Sequence, residues 1–61
     1  MKKTYLLQWM DGAGIHEARL LDDLNGATTL AIALVGAGGC QAVTIYMEEE
    51  MVTKLVQRFV Q

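Results

Sequence analysis

The residues that could do chemistry are few and lie in different parts of the chain. His16 precedes Glu17, and the only thiol belongs to Cys40. A histidine beside a carboxylate could act as a general base, but the chain has no serine and Cys40 belongs to another element, so no nucleophile–base pair is indicated. One histidine and one cysteine also fall short of the ligand set of a structural zinc. We therefore expect a non-enzymatic protein without a metal site, in which His16 pairs across a hairpin with Trp9.

Three other patterns have a chemical interpretation that their context weakens. The segment Gly36–Gly39 contains glycines like those of a phosphate-binding loop, but that loop opens a helix after a strand, and here it would close one. Glu48–Glu50 could bind a cation, yet three acids also suit the start of a helix. Trp9, Tyr5 and Tyr46 could stack on bases, although they have no basic neighbours. A net charge of -2 argues against a nucleic-acid partner, and we expect no cofactor.

Length and composition predict one small domain over residues 1–61 that associates with itself or with a partner. The chain is 52% hydrophobic, and a domain of about 60 residues buries only about 60% of its unfolded surface. A single cysteine excludes an internal disulfide, which leaves oligomerisation as the usual means of stabilisation. The N-terminus begins like a signal peptide but reaches Asp11 too early, so we expect a cytoplasmic protein.

The uncharged segment Leu24–Ala37 predicts the central helix. Leucine and alanine fill a broad arc that includes Ile32, and the back of the helix is small and neutral, which suggests that something else approaches it. Asp22–Asp23 supply an N-cap, and Gly38–Gly39 supply a stop. Asn25–Gly26 could instead form a turn and delay the helix to Thr28.

A transmembrane segment is the alternative for this region. No charge occurs from Leu24 to Met47, which is long enough to span a bilayer. Glycines interrupt the segment, Gln41 lies within it, and its second half alternates as a strand does. These features argue against the membrane and favour a helix followed by a strand.

Alternation predicts three strands around that helix. Residues 3–10 and 15–21 flank a turn at residues 11–14, and residues 40–47 form the third strand. In the hairpin we expect Trp9 opposite His16, Leu7 opposite Ala18 and Tyr5 opposite Leu20 on the face that meets the helix. The other face is mixed and carries Leu6, Gln8, Met10, Ile15, Glu17 and Arg19. A right-handed crossover then gives the strand order 2-1-3 of a split βαβ unit.

The C-terminal segment has the spacing of an amphipathic helix. Glu50, Lys54 and Arg58 recur at i, i+4, and the apolar side chains share one side, at Met51, Val52, Leu55, Val56, Phe59 and Val60. The predicted fold class is therefore α+β, with ββαβα topology, a three-stranded sheet, one central helix and a C-terminal amphipathic helix.

These features favour an intracellular protein-binding module, homo-oligomeric, that acts by occupying the surface of another protein. Acidic chains of this size are commonly accessory or inhibitor proteins of phages and mobile elements, anti-defence proteins among them. The candidate interface residues are Leu6, Met10, Ile15, Ile32, Ala33, Tyr46, Met51, Leu55 and Phe59.

Two alternatives stay open at this point. One is an oligomer that binds a small molecule or nucleotide in a pocket between subunits, lined by Trp9, His16, Tyr46 and residues 36–39. The other is a small single-span membrane protein.

Overall fold

In the described part of the chain, four antiparallel strands form one sheet and one helix packs on one of its faces. The computed structural model describes residues 3–37 and 39–61. The order of the strands across the sheet is β2-β1-β3-β4. The elements along the chain are β1 (Thr4–Asp11), β2 (Gly14–Leu21), α1 (Leu24–Gly36), β3 (Ala42–Glu49) and β4 (Val52–Val60).

The C-terminal segment is a strand, so the predicted three-stranded sheet with a second helix is wrong. After a two-residue turn at Glu50–Met51, β4 pairs with β3 along its whole length. Its sequence VTKLVQRFV is rich in β-branched and aromatic residues, which suit a strand more than a helix. Tyr46 pairs with Leu55 and Ile45 with Gln57, so Val56 is an extra residue. This bulge shifts the alternation of β4, and the shifted pattern imitates helical spacing.

The predicted register of the first hairpin is confirmed. Tyr5 pairs with Leu20, Leu7 with Ala18 and Trp9 with His16. β1 lies between β2 and β3 and is antiparallel to both, while β4 extends the sheet beyond β3.

The helix begins where the sequence places it. The Asp23 carboxylate accepts a hydrogen bond of 2.8 Å from the Gly26 amide, which makes Asp23 the N-cap. The alternative start at Thr28 is therefore wrong. At the other end the Ala37 amide donates to the Ala33 carbonyl at 2.8 Å. Gly39 has a left-handed φ of 76°, and Gly38, the other half of the predicted stop, lies outside the described residues.

The core lies between α1 and the sheet. Ala27 and Ala31 are fully buried against Leu7, Val43 and Ile45, because alanine lets the helix approach the strands closely. Cys40 is a buried free thiol and belongs to this core, where it packs as a small apolar residue.

The outer side of α1 is open. Ile32, expected in the covered arc, is 56% exposed, and Ala33 beside it is also exposed. Across residues 3–37 and 39–61, no helix combines the length and the apolar character needed to cross a bilayer.

Candidate functional site

The open face is the side of the sheet turned away from α1. Tyr5, Leu7, Val43 and Ile45 point into the core, so their neighbours along each strand point to the other side. The cross-strand pairs extend this assignment to β2 and β4. The principal members of the open face are Leu6, Gln8, Met10, Ile15, Glu17, Arg19, Leu21, Ala42, Thr44, Tyr46, Glu48, Leu55, Arg58 and Val60.

Five large apolar side chains of the open face are accessible to solvent. Met10, Ile15, Leu21, Leu55 and Val60 are each between 61% and 75% exposed. Single exposed apolar residues are ordinary on a protein surface. Several on one face of a small sheet, with polar residues between them, are typical of a contact surface.

A polar row crosses all four strands between these apolar residues. Gln8 pairs with Glu17 on one side and with Thr44 on the other, and Thr44 pairs with Arg58. The Gln8 Nε2 donates a hydrogen bond of 2.7 Å to Glu17 Oε2. Arg58 has no ion-pair partner within residues 3–37 and 39–61. The row therefore carries an accessible carboxylate at one edge and an accessible guanidinium at the other.

A second pair of charges on the open face is already neutralised. Arg19 Nε lies 3.1 Å from Glu48 Oε1, and because β1 separates β2 from β3, this ion pair passes over β1. Leu6, opposite both Arg19 and Tyr46 in the sheet, is only 7% exposed. Leu6 thus contributes little surface for contact, although the sequence suggested it.

At the hairpin end, His16 and Glu17, the adjacent residues considered for general-base chemistry, point to opposite faces. His16 stacks on Trp9 with ring centroids 5.6 Å apart, as the cross-strand interpretation predicts, while Glu17 lies on the open face. His16 Nε2 is 2.9 Å from Asp11 Oδ1. A hydrogen bond from the Ala13 amide, and then one from His16, hold the pKa of Asp11 below its ordinary value.

A cleft lies at the same end of the sheet and has a volume of about 560 Å³. Its lining includes Trp9 and Gly39 from the pocket expected from the sequence, together with Arg58 and Thr44. His16 and Tyr46 do not line it. Within the described part of the chain, no three histidine, cysteine, aspartate or glutamate residues group as metal ligands would.

The candidate interface residues fall on separate surfaces. Met10, Ile15, Tyr46 and Leu55 share the open face. Ile32 and Ala33 lie on the outer side of α1, Met51 is fully exposed in the turn before β4, and Phe59 packs against the core.

Sequence reasoning missed Arg58, Val60 and Leu21 as members of the open face. Arg58 and Val60 were assigned to a helix, where they would not line up with Thr44 and Ala42. The β-branched composition of residues 52–60 was the signal that could have located them. No family model, curated protein or solved structure matches this chain.

Proposed function

We propose that this chain is a non-enzymatic protein-binding module and that the open face is its contact surface. The observation that supports the proposal is the set of five large apolar side chains exposed together on that face, Met10, Ile15, Leu21, Leu55 and Val60. Covering apolar surface releases free energy of about 25 cal/mol for each Å² removed from water. A protein that covers this face would therefore gain more binding free energy than a protein that covers a charged surface of the same size.

The polar groups of the open face would supply specificity. Interfaces combine apolar contacts with a limited number of hydrogen bonds and charges that fix register and partner. Glu17 and Arg58 are exposed and have no ion-pair partner in the described residues, so both are available to a partner. Action in the cytoplasm as an accessory or inhibitor protein, by occupying another protein's surface, is the finer form of the same proposal.

The substitution Leu55→Asp tests the assignment. Leu55 is 64% exposed, so we expect the variant to fold with a melting temperature close to that of the wild type, measured by circular dichroism. A charge placed among apolar contacts has to be desolvated on docking, so binding through the open face should be lost. The matched control is Ile32→Asp, which adds the same charge on the outer side of α1, where the exposure of Ile32 is 56%.

Two readouts detect the bound protein. Size-exclusion chromatography with light scattering reports self-association, and affinity purification with a tagged chain reports other proteins. We expect wild type and Ile32→Asp to retain a bound protein, and Leu55→Asp to lose it. Wild type without any bound protein in either assay, or Leu55→Asp that still binds, would overturn the proposal.

The cleft favours a second candidate function, the binding of a small molecule. Its volume of about 560 Å³ lies within the range of ligand sites, roughly 300–1,000 Å³. Arg58 would bind an anionic group, while Trp9 and Met10 would contact an apolar part of the ligand. A thermal-shift screen of nucleotides and metabolites tests this: a stabilising ligand should lose its effect on Arg58→Gln. If no compound stabilises the wild type, this candidate is excluded.

A further inference from the structure

We propose that the partner on the open face is a second copy of this chain, related by a two-fold axis that runs roughly parallel to the strands between β1 and β3. This inference rests on the proposed function of the open face and identifies its occupant. Such a dimer packs two sheets face to face, with strands aligned to within about 30° and sheets about 10 Å apart.

Two charges of the open face that have no ion-pair partner within residues 3–37 and 39–61 support this arrangement. Glu17 on β2 and Arg58 on β4 lie in one cross-strand row, at opposite edges of the sheet. At about 4.8 Å per strand they are about 14 Å apart, too far to pair within one chain. A two-fold axis midway between them places Glu17 over the partner subunit's Arg58, and by symmetry Arg58 over the partner subunit's Glu17. One operation therefore forms two ion pairs and neutralises all four charges, since a two-fold interface repeats every contact.

The apolar residues on either side of this row fit the same operation. Ile15 and Val60 occupy the opposite edges of the next row towards the hairpin end. The axis places Ile15 of one copy over the partner subunit's Val60. On the other side of the charged row, Leu55 meets the stem of the partner subunit's Arg19. Both contacts cover side chains that are otherwise exposed.

The size of the molecule is compatible with a dimer through this face. The two longest extents of the molecule, 34 and 20 Å, set an upper limit of about 700 Å² on the projected area of the face, which is of the order of the roughly 800 Å² that each partner buries in a standard interface. The other two-fold axis in the plane of the sheets, perpendicular to the strands, is less favourable. It would keep each strand over the same strand of the partner subunit, so Glu17 on β2 could not face Arg58 on β4 and both charges would stay without an opposite charge.

Charge reversal tests the axis. We would prepare Glu17→Arg, Arg58→Glu and the double variant, and measure the dimer dissociation constant by sedimentation equilibrium over a dilution series. Both side chains are exposed, so all three variants should fold, which circular dichroism checks. Lys54→Glu is the matched control, because Lys54 lies on β4 opposite Met47, on the helix side of the sheet.

We expect the wild type to have twice the monomer mass of 6.7 kDa. Each single reversal sets like charges against each other at two symmetric contacts and should weaken the dimer at least about tenfold. The double variant restores opposite charges and should return to within about threefold of wild type. Lys54→Glu should behave as wild type.

The proposal is overturned by a monomeric wild type, by a dimer insensitive to Arg58→Glu, or by a double variant that is not rescued. These outcomes are distinct from failure of the proposed function. If the wild type is monomeric but Leu55→Asp abolishes capture of another protein, the open face is a contact surface and only its assignment to a second copy is wrong. If no protein binds in any assay, both proposals fail.

Discussion

Replacing Ile45 by alanine should remove a large part of the stability of this domain. Ile45 is fully buried at the centre of β3, against the alanines of α1. Truncation of a buried isoleucine to alanine costs about 2–5 kcal/mol, and the cost is higher where the surroundings cannot collapse into the cavity. Because β3 is fixed between β1 on one side and β4 on the other, we expect a loss of about 3–4 kcal/mol.

That loss is large relative to the total free energy of unfolding expected for this domain. Domains have roughly 0.05–0.15 kcal/mol of stability per residue, or about 3–9 kcal/mol for a chain of this length. A domain of this size loses about 4–8 °C of melting temperature per kcal/mol, so Ile45→Ala should melt at least about 12 °C lower.

The assay is urea denaturation followed by far-UV circular dichroism, with all variants at one protein concentration, since a dimer's apparent stability depends on concentration. Ile32→Ala is the control, because it makes the same chemical change on the outer side of α1, where Ile32 is 56% exposed. The control should stay within about 0.5 kcal/mol of wild type. If Ile45→Ala costs less than about 1 kcal/mol, or if both variants lose stability equally, the description of the core is refuted.

Three further predictions concern the ends of the elements. Asp23→Ala should cost about 1 kcal/mol in urea denaturation by removing the bond to the Gly26 amide, whereas Asp23→Asn, which keeps an acceptor, should cost less than half of that. Asp11→Asn should lower the melting temperature at a pH above 3.8, the ordinary pKa of an aspartate, because a carboxylate with a lowered pKa stabilises the fold only while it is ionised. The difference in melting temperature from wild type should disappear as the pH falls below 3.8. A difference that does not change with pH would contradict this. Glu50→Gly should raise the free energy of unfolding by about 0.5 kcal/mol, because Glu50 has a left-handed φ of 54° that glycine adopts without strain. Met51→Gly in the same turn should lower the free energy of unfolding. If both variants are less stable than wild type, Glu50 is not strained.

Local signals predicted the first two thirds of the fold. Alternation and the turn at residues 11–14 determined the register of β1 and β2, since a shift by one residue would turn Leu7 and Tyr5 away from the helix. Asp23 determined the start of α1 because its carboxylate bonds to an amide within the same turn. These features depend on residues close together in the sequence.

The C-terminal third could not be predicted in the same way. The apolar spacing of Val52, Leu55, Val56 and Phe59 satisfies a helix, whereas in the strand, with its bulge at Val56, Phe59 packs against the core and Leu55 lies on the open face. Whether a bulge forms depends on the pairing partner, which is β3, and therefore on the assembled sheet. The contact surface predicted from the sequence lacked Arg58 for the same reason, because Arg58 lies in the cross-strand row of Glu17 only when residues 52–60 form a strand.

The sequence by itself determined that this small chain holds more apolar residues than it can bury, that one hairpin and one uncharged helix form, and that the helix meets the face of Leu7. The tertiary structure alone decided which apolar residues stay exposed together and which charges share a row. Exposure and cross-strand alignment are properties of pairing between distant segments, so the open face exists only once β3 has paired with both β1 and β4.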